Sequence, residues 1–112
     1  MNYRNRSLLD LAYKVPCAFN LPGICEGGMG EPAHSNQSRH GKGGALKAHD
    51  CFFASACRSC HREIDQGRTM SRDEKFEAWN RAYERTVLEL WRRGLVEVSG
   101  RCEAGYLLGD AA

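Results

Sequence analysis

The chain has no long apolar run. Arg4, Arg6, Asp10 and Lys14 interrupt the stretch from Met1 to Val15, so the sequence predicts no secretory leader there. Nowhere does it approach the ~20 consecutive apolar residues of a membrane helix, and no membrane partner is expected. Internal repeats and low-complexity tracts are also missing, which argues against a solenoid or a disordered tail. Acidic residues are missing locally: no Asp or Glu lies between Ala33 and His49, while Arg39, Lys42 and Lys47 do. Such a loop reads first as a solvated surface, and it also suits phosphate neutralisation. The overall net charge of +2 is too mild to decide between these. The length of 112 residues fits one domain with a modest core.

Cysteine is what the chain has in abundance, with six residues. With no leader predicted, the expected location is cytoplasmic, where thiols stay reduced and bind metal more often than they form disulfides. Cys57-Arg-Ser-Cys60 has the two-residue spacing that aims both thiolates at one tetrahedral metal. Cys17 and Cys25, with seven residues between them, supply the second pair across a 31-residue segment. Cys17, Cys25, Cys57 and Cys60 are therefore the expected ligands of one structural zinc, and a histidine in place of one cysteine is the alternative. Cys57-x-x-Cys60-His61 also matches a c-type haem attachment string, but export is not expected and a haem leaves Cys17 and Cys25 unused. Cys51, in an apolar run, reads as a small buried hydrophobe. Cys102 is unassigned.

The coarse secondary structure is mixed α and β. Ser7 to Lys14 reads as a short helix with Ser7 as N-cap and Asp10 in the capping-box position; Pro16 ends it. Cys17 to Cys25 reads as a tight loop around Pro22-Gly23. Ala33 to His49, with Gly41, Gly43 and Gly44, reads as a long flexible loop. Asp50 to Ala56 reads as a strand leading into Cys57. Cys57 to Gln66 reads as a helix stopped by Gly67. Ser71 and Glu74 form a capping box that opens a helix to Arg93. Along it Phe76, Trp79, Tyr83, Val87 and Leu90 recur at helical spacing with Trp91 beside them, a stripe expected to pack as core. Gly94 closes it, with Leu95 making the apolar contact after the cap. One domain is expected, with a core over about 15–67, the long helix over about 71–93 and a tail at 99–112.

His34, His40, His49 and His61 all lie between the cysteine pairs or directly after the second. Imidazole is both base and ligand near neutral pH, so this clustering points to a site. The run Leu21-Pro22-Gly23-Ile24-Cys25, then Pro32-Ala33-His34, then Asp50, then Ala56-Cys57-Arg58-Ser59-Cys60-His61-Arg62-Glu63-Ile64-Asp65 resembles the HNH (ββα-metal) nucleases, and more closely the YbcO-like nuclease family of prophages. The resemblance covers roughly Arg4 to Gly67, and the long helix loosely. It implies a small α+β fold: a zinc-stapled ββα core with an N-terminal helix and a long C-terminal amphipathic helix. It implies a metal-dependent DNA endonuclease that hydrolyses phosphodiester bonds. His34 falls at the general base, Asp50 at the residue that orients the base or the loop, and His61 at the ligand of a catalytic Mg2+ or Mn2+. Arg39, Lys42 and Lys47 would hold DNA phosphates.

One departure stands out. Where the family places a metal ligand before the base, this chain has Ala33, and His40, His49 or Asp65 would have to compensate. A degenerate HNH domain, a non-catalytic zinc-binding nucleic-acid module and a zinc-held protein adaptor are the rival readings. A homodimer through the long helix is compatible with all of them.

Overall fold

The computed structural model describes residues 1–97. Residues 98–112, with Cys102 and the expected tail, lie outside the described residues. Among the described residues the fold is a small α+β arrangement of three α-helices and one two-stranded sheet. Helix α1 (Arg6–Leu9) runs into a 3-10 turn, Asp10–Lys14. Strands β1 (Glu31–His34) and β2 (Phe53–Ala56) pair antiparallel, then α2 (Arg58–Gln66) and α3 (Arg72–Arg92) follow. No helix among the described residues is long and apolar enough to cross a membrane.

The sheet register sets Glu31 opposite Ala56, Ala33 opposite Ala54 and His34 opposite Phe53. All four residues of β2 are buried, because a two-stranded sheet cannot shield itself. The N-terminal turn and α3 cover it instead. Ala33, Ala54 and Ala56 meet Ala78 and Ala82 of α3 in one core cluster. These small side chains let the helix seat close to the strands, and Trp79 fills the remaining volume while its indole N–H donates to Ala33 C=O at 3.0 Å. A second cluster joins Leu9, Ala12 and Val15 to Phe53 and Leu90.

Ser55 is the knot of this packing. Its N–H donates to Thr86 Oγ1 at 3.0 Å, and the Thr86 hydroxyl donates on to Ala82 C=O. Its hydroxyl faces the carbonyls of Ala12 and Val15 at 3.2 and 3.1 Å. Its own carbonyl accepts from Ala18 N. Gly30 lies so close that an added Cβ would sit 1.9 Å from Ser55 Oγ, so no side chain fits there.

The capping box at Ser71 and Glu74 forms as the sequence predicts. So does the Gly94 terminus: Leu95 N donates to Leu90 C=O and Gly94 N to Trp91 C=O, with Gly94 left-handed at φ 66°. Other expectations are corrected. The first helix is capped by Asn5, whose side chain accepts from Leu8 N, not by Ser7. The Asn5 N–H is tied to Asp50 at 2.7 Å, and that long-range bond fixes where the helix starts. Gly67 is extended, not left-handed. A Cβ there would meet the Glu63 carbonyl oxygen at 2.6 Å, which favours glycine.

The buried face of α3 is Ala78, Trp79, Ala82, Thr86 and Leu90. Phe76, Tyr83 and Val87 flank it half-buried, and Trp91 is 52% exposed. The expected stripe was thus rotated toward its large residues, because alanines make the closest contact. Cys51 is exposed rather than buried. Residues 33–49 are not one open loop. Ala33 and His34 belong to β1, and Ser38–His40 forms a turn.

Thr86→Val should cost about 1–3 kcal/mol in urea unfolding, because it strands the buried Ser55 N–H. Thr86→Ser keeps the acceptor and should cost about 1 kcal/mol for the lost methyl. Equal stability of Thr86→Val and the wild type would remove Ser55 from its place in the packing.

Candidate metal centre and adjoining pocket

Cys17, Cys25, Cys57 and Cys60 come together with all four sulfurs within 4.8 Å of one another. Tetrahedral zinc at about 2.3 Å from each sulfur needs edges of about 3.8 Å, and Cys25 Sγ and Cys57 Sγ stand 3.9 Å apart. Two different local devices aim the thiols. Cys57 is the N-cap of α2, so its sulfur accepts from Cys60 N at 3.4 Å, and also from Glu26 N at 3.4 Å. Cys25 lies after a turn closed by its own N–H on Leu21 C=O, and Gly27 N donates to its sulfur at 3.3 Å. Glycines at 27 and 28 take φ of 75° and 76°, which turns the chain sharply enough to present those amides.

The donor chemistry fits zinc. Burial opposes ionisation of Cys57, but the N–H groups of Glu26 and Cys60 outweigh it and lower its pKa to about 7. Burial pushes the Cys60 and Cys25 thiols up. Four such groups reach the thiolate state together only around a cation that neutralises them. Among the described residues this is the one group of three or more convergent metal donors. No histidine enters it.

The histidines divide by neighbour. His34, at the end of β1, has Nε2 2.8 Å from Asp50 Oδ1. Asp50 is 4% exposed. Burial works against its charge, but the bonds from His34 and the Asn5 N–H, with the nearby Arg4 charge, hold its carboxyl below the usual range. An ionised Asp50 accepts the Nε2 proton, so Nδ1 is the basic atom of His34. Arg4 donates to Asp50 at 3.1 Å and to the carbonyls of Lys47 and Ala48. Asn2 bonds the carbonyls of Gly41 and Lys47, and Tyr3 N donates to His49 Nδ1 at 3.0 Å. The N-terminal residues therefore strap the basic loop in place.

His40 is held elsewhere. Its ring stacks on Phe52 at 4.3 Å, its Nδ1 lies 2.6 Å from Ser35 Oγ, and burial with the Arg39 charge lowers its pKa. His61 Nδ1 lies 2.7 Å from Glu31 Oε2 and Nε2 lies 3.2 Å from Asp65 Oδ2. The Asp65 bond, opposed by burial and aided by Glu31, raises its pKa. Both ring nitrogens thus have carboxylate partners, on opposite sides of the ring. His40 and His49 are engaged away from His61, while Asp65 touches it.

His34, Lys42, Lys47, His61 and Asp65 line one pocket of about 240 Å³. Arg39 is absent from that lining. Its Nε donates to Gln37, which in turn bonds Asn80 of α3. A groove of about 350 Å³ beside Cys17 and Arg85 contains no histidine. Two participants escaped the sequence reading. Glu31 reaches His61 only through the strand register, and Arg4 reaches Asp50 across 46 positions. Neither carries a local spacing signal.

No model of a known protein family matches the chain, and no curated protein matches it. A solved structure described as a "putative bacteriophage protein" from Escherichia coli str. K-12 substr. MG1655 is similar in fold. Its TM-score is 0.56 at 24% identity, over 76% of this chain and 96% of that chain.

Elemental analysis should find one zinc per chain, and its removal should abolish the helical circular dichroism signal. Cys60→Ser should lose both metal and fold, whereas Cys51→Ser should lose neither. An unchanged spectrum after complete zinc removal would exclude a structural role. Asp50 sets a pH dependence. Its carboxyl has a lower pKa folded than unfolded, so its contribution is full above about pH 4 and vanishes as pH falls through the folded value. Asp50→Asn should melt lower at pH 7, with a flatter decline in Tm between pH 5 and 2 than the wild type. Parallel declines would show that Asp50 is not an ionised anchor.

Proposed function

We propose that this chain is a metal-dependent DNA endonuclease of phage or prophage type, with an HNH-like ββα core. The observation that carries the reading is the His34–Asp50 pair at 2.8 Å in a pocket also lined by Lys42 and Lys47. The order of elements supports it: an antiparallel strand pair, then a helix capped by a metal-ligating cysteine. The similarity in fold to a bacteriophage-described protein supports the phage setting.

In this reading Asp50 fixes the His34 tautomer, and Nδ1 takes a proton from the attacking water. Arg4 holds Asp50 without touching substrate. Lys42 and Lys47 neutralise the backbone phosphates, which gives little base specificity. Arg39 is a phosphate contact of the outer surface. Mg2+ or Mn2+ is the cofactor that the reading calls for. Its ligands do not converge among the described residues: His61 is paired with Glu31 and Asp65, and Ala33 offers no donor. The same observation favours a second reading, a zinc-stabilised nucleic-acid-binding module without hydrolysis.

Plasmid nicking separates them. Zinc-loaded protein should nick supercoiled DNA when magnesium or manganese is added. His34→Ala should lower the rate by at least ~100-fold, the scale of a general base, with DNA affinity retained and only a modest loss of Tm, because Asp50 keeps its Asn5 and Arg4 donors. Salt-sensitive binding without nicking under any divalent metal would leave the binding module as the function.

A further inference from the structure

Two pockets of different character share a wall beside His34. The first is the polar, basic one that His34, Lys42 and Lys47 line. The second, about 330 Å³, is lined by Phe76 and Trp79 together with Ile64, Arg72 and Lys75. Asn36 and Asp65 belong to both, and Asn36 Nδ2 donates to Asp65 Oδ1 at 2.9 Å to form the shared rim. Phe76 is half-buried and belongs to neither buried apolar cluster. The Arg72 guanidinium stands 5.7 Å from the centre of its ring, on a side chain that is 81% exposed.

A nucleotide has the same two parts in the same order, an anionic phosphate joined to a flat aromatic base. We infer that the Phe76 pocket receives one unstacked nucleobase of the DNA whose phosphates lie against Lys42 and Lys47. The preferred ligand is therefore DNA with an unpaired nucleotide (a single strand, gap, flap or branch) rather than intact duplex. The inference rests on the reading of the His34 pocket as a DNA site. A base in a duplex is held in its stack and enters a side pocket only when extruded, and extrusion costs least where the nucleotide is already unpaired. Stacking on Phe76 accepts any base, because every base has a π-face. The exposed Arg72 guanidinium, now over the Phe76 ring, can swing outward to admit the base and cover its other face, a pairing common in single-strand recognition. Lys75, tied to Gly67 C=O, adds positive charge at the margin.

The test uses zinc-loaded full-length protein without added magnesium or manganese, and fluorescence anisotropy of labelled oligonucleotides of about twelve nucleotides. Three probes are compared: a single strand, its duplex, and an abasic strand of the same length and charge. The single strand should bind about tenfold or more tighter than the other two. Phe76→Leu should erase that preference while leaving the salt dependence intact. Lys42→Gln with Lys47→Gln should weaken all three probes and flatten their salt dependence. Arg72→Ala, an exposed change, gives the same readout of the pocket should Phe76→Leu lower the melting temperature. Equal binding of all three probes, or a duplex preference, overturns the base pocket and leaves the DNA reading standing. Absence of binding to every probe overturns both.

Discussion

Everything in this fold depends on bringing four thiols to one point. The sheet has two strands of four residues each, too little to be stable alone. Pro32 of β1 stands opposite Ser55, whose N–H and C=O turn outward to Thr86 and Ala18, so this pair adds no bond to the ladder. The hairpin is held because the residue after β2 is Cys57, which caps α2 and faces Cys17 and Cys25 from the opposite end of the chain segment. Cys17, Cys57 and Cys60 are at once ligands and members of the main apolar cluster. The metal centre is therefore an extension of the core. A metal that closes this loop fixes β2, and β2 carries Ser55, on which Thr86, Ala18 and Gly30 converge.

Asp50 is a second hub, built on charge instead of metal. A carboxylate this buried persists only where its oxygens are satisfied, and here a backbone amide, a guanidinium and an imidazole do so. Two of those three donors come from the first five residues. Order at the extreme N-terminus is therefore coupled to the orientation of His34. The cysteine cluster gathers the hairpin from the side of β2, and Asp50 fixes the same hairpin from the side of β1. The pocket of His34, Lys42 and Lys47 opens beside this hairpin, with Pro32 and His34 of β1 in its lining. No cysteine lines that pocket and Asp50 does not line it either; Asp50 bears on it through the imidazole of His34.

How much of this was legible in the sequence follows from how local each feature is. The four cysteines were legible because their spacing is itself the geometry of the site. The Ser71–Glu74 box and the Gly94 terminus were legible because a helix end is decided within six residues. The pairing of His34 with Asp50 came from a resemblance rather than from spacing. Contacts set by strand register or by chain return left no such trace: Glu31 with His61, Arg4 with Asp50, Asn5 in place of Ser7. Composition misled where size mattered more than hydrophobicity. Alanine, not phenylalanine or valine, forms the contact face of α3, because the helix must come close to an alanine-lined strand pair.

That rotation of α3 bears on function as well as packing. If Phe76 and Tyr83 had faced the sheet, the helix would have stood further off and its first turns would have sealed the space beside Asp65. Alanines at 78 and 82 draw the helix in, and Trp79 spends its indole N–H on Ala33, the residue before His34. Phe76 is left at the edge of the core, one turn from the helix start and next to Asn36 and Asp65. The pocket is thus a by-product of close helix seating, and so is its position against the basic loop. Ala33 serves the same end. Its position is fully buried under α3, so a carboxylate or imidazole there would have to be desolvated among apolar neighbours. The small residue that denies the site a metal ligand is the one that permits the helix to dock. In the proposed endonuclease reading, a catalytic ion would have to come from the side of His61, Glu31 and Asp65, at the expense of the bonds those groups now make to one another.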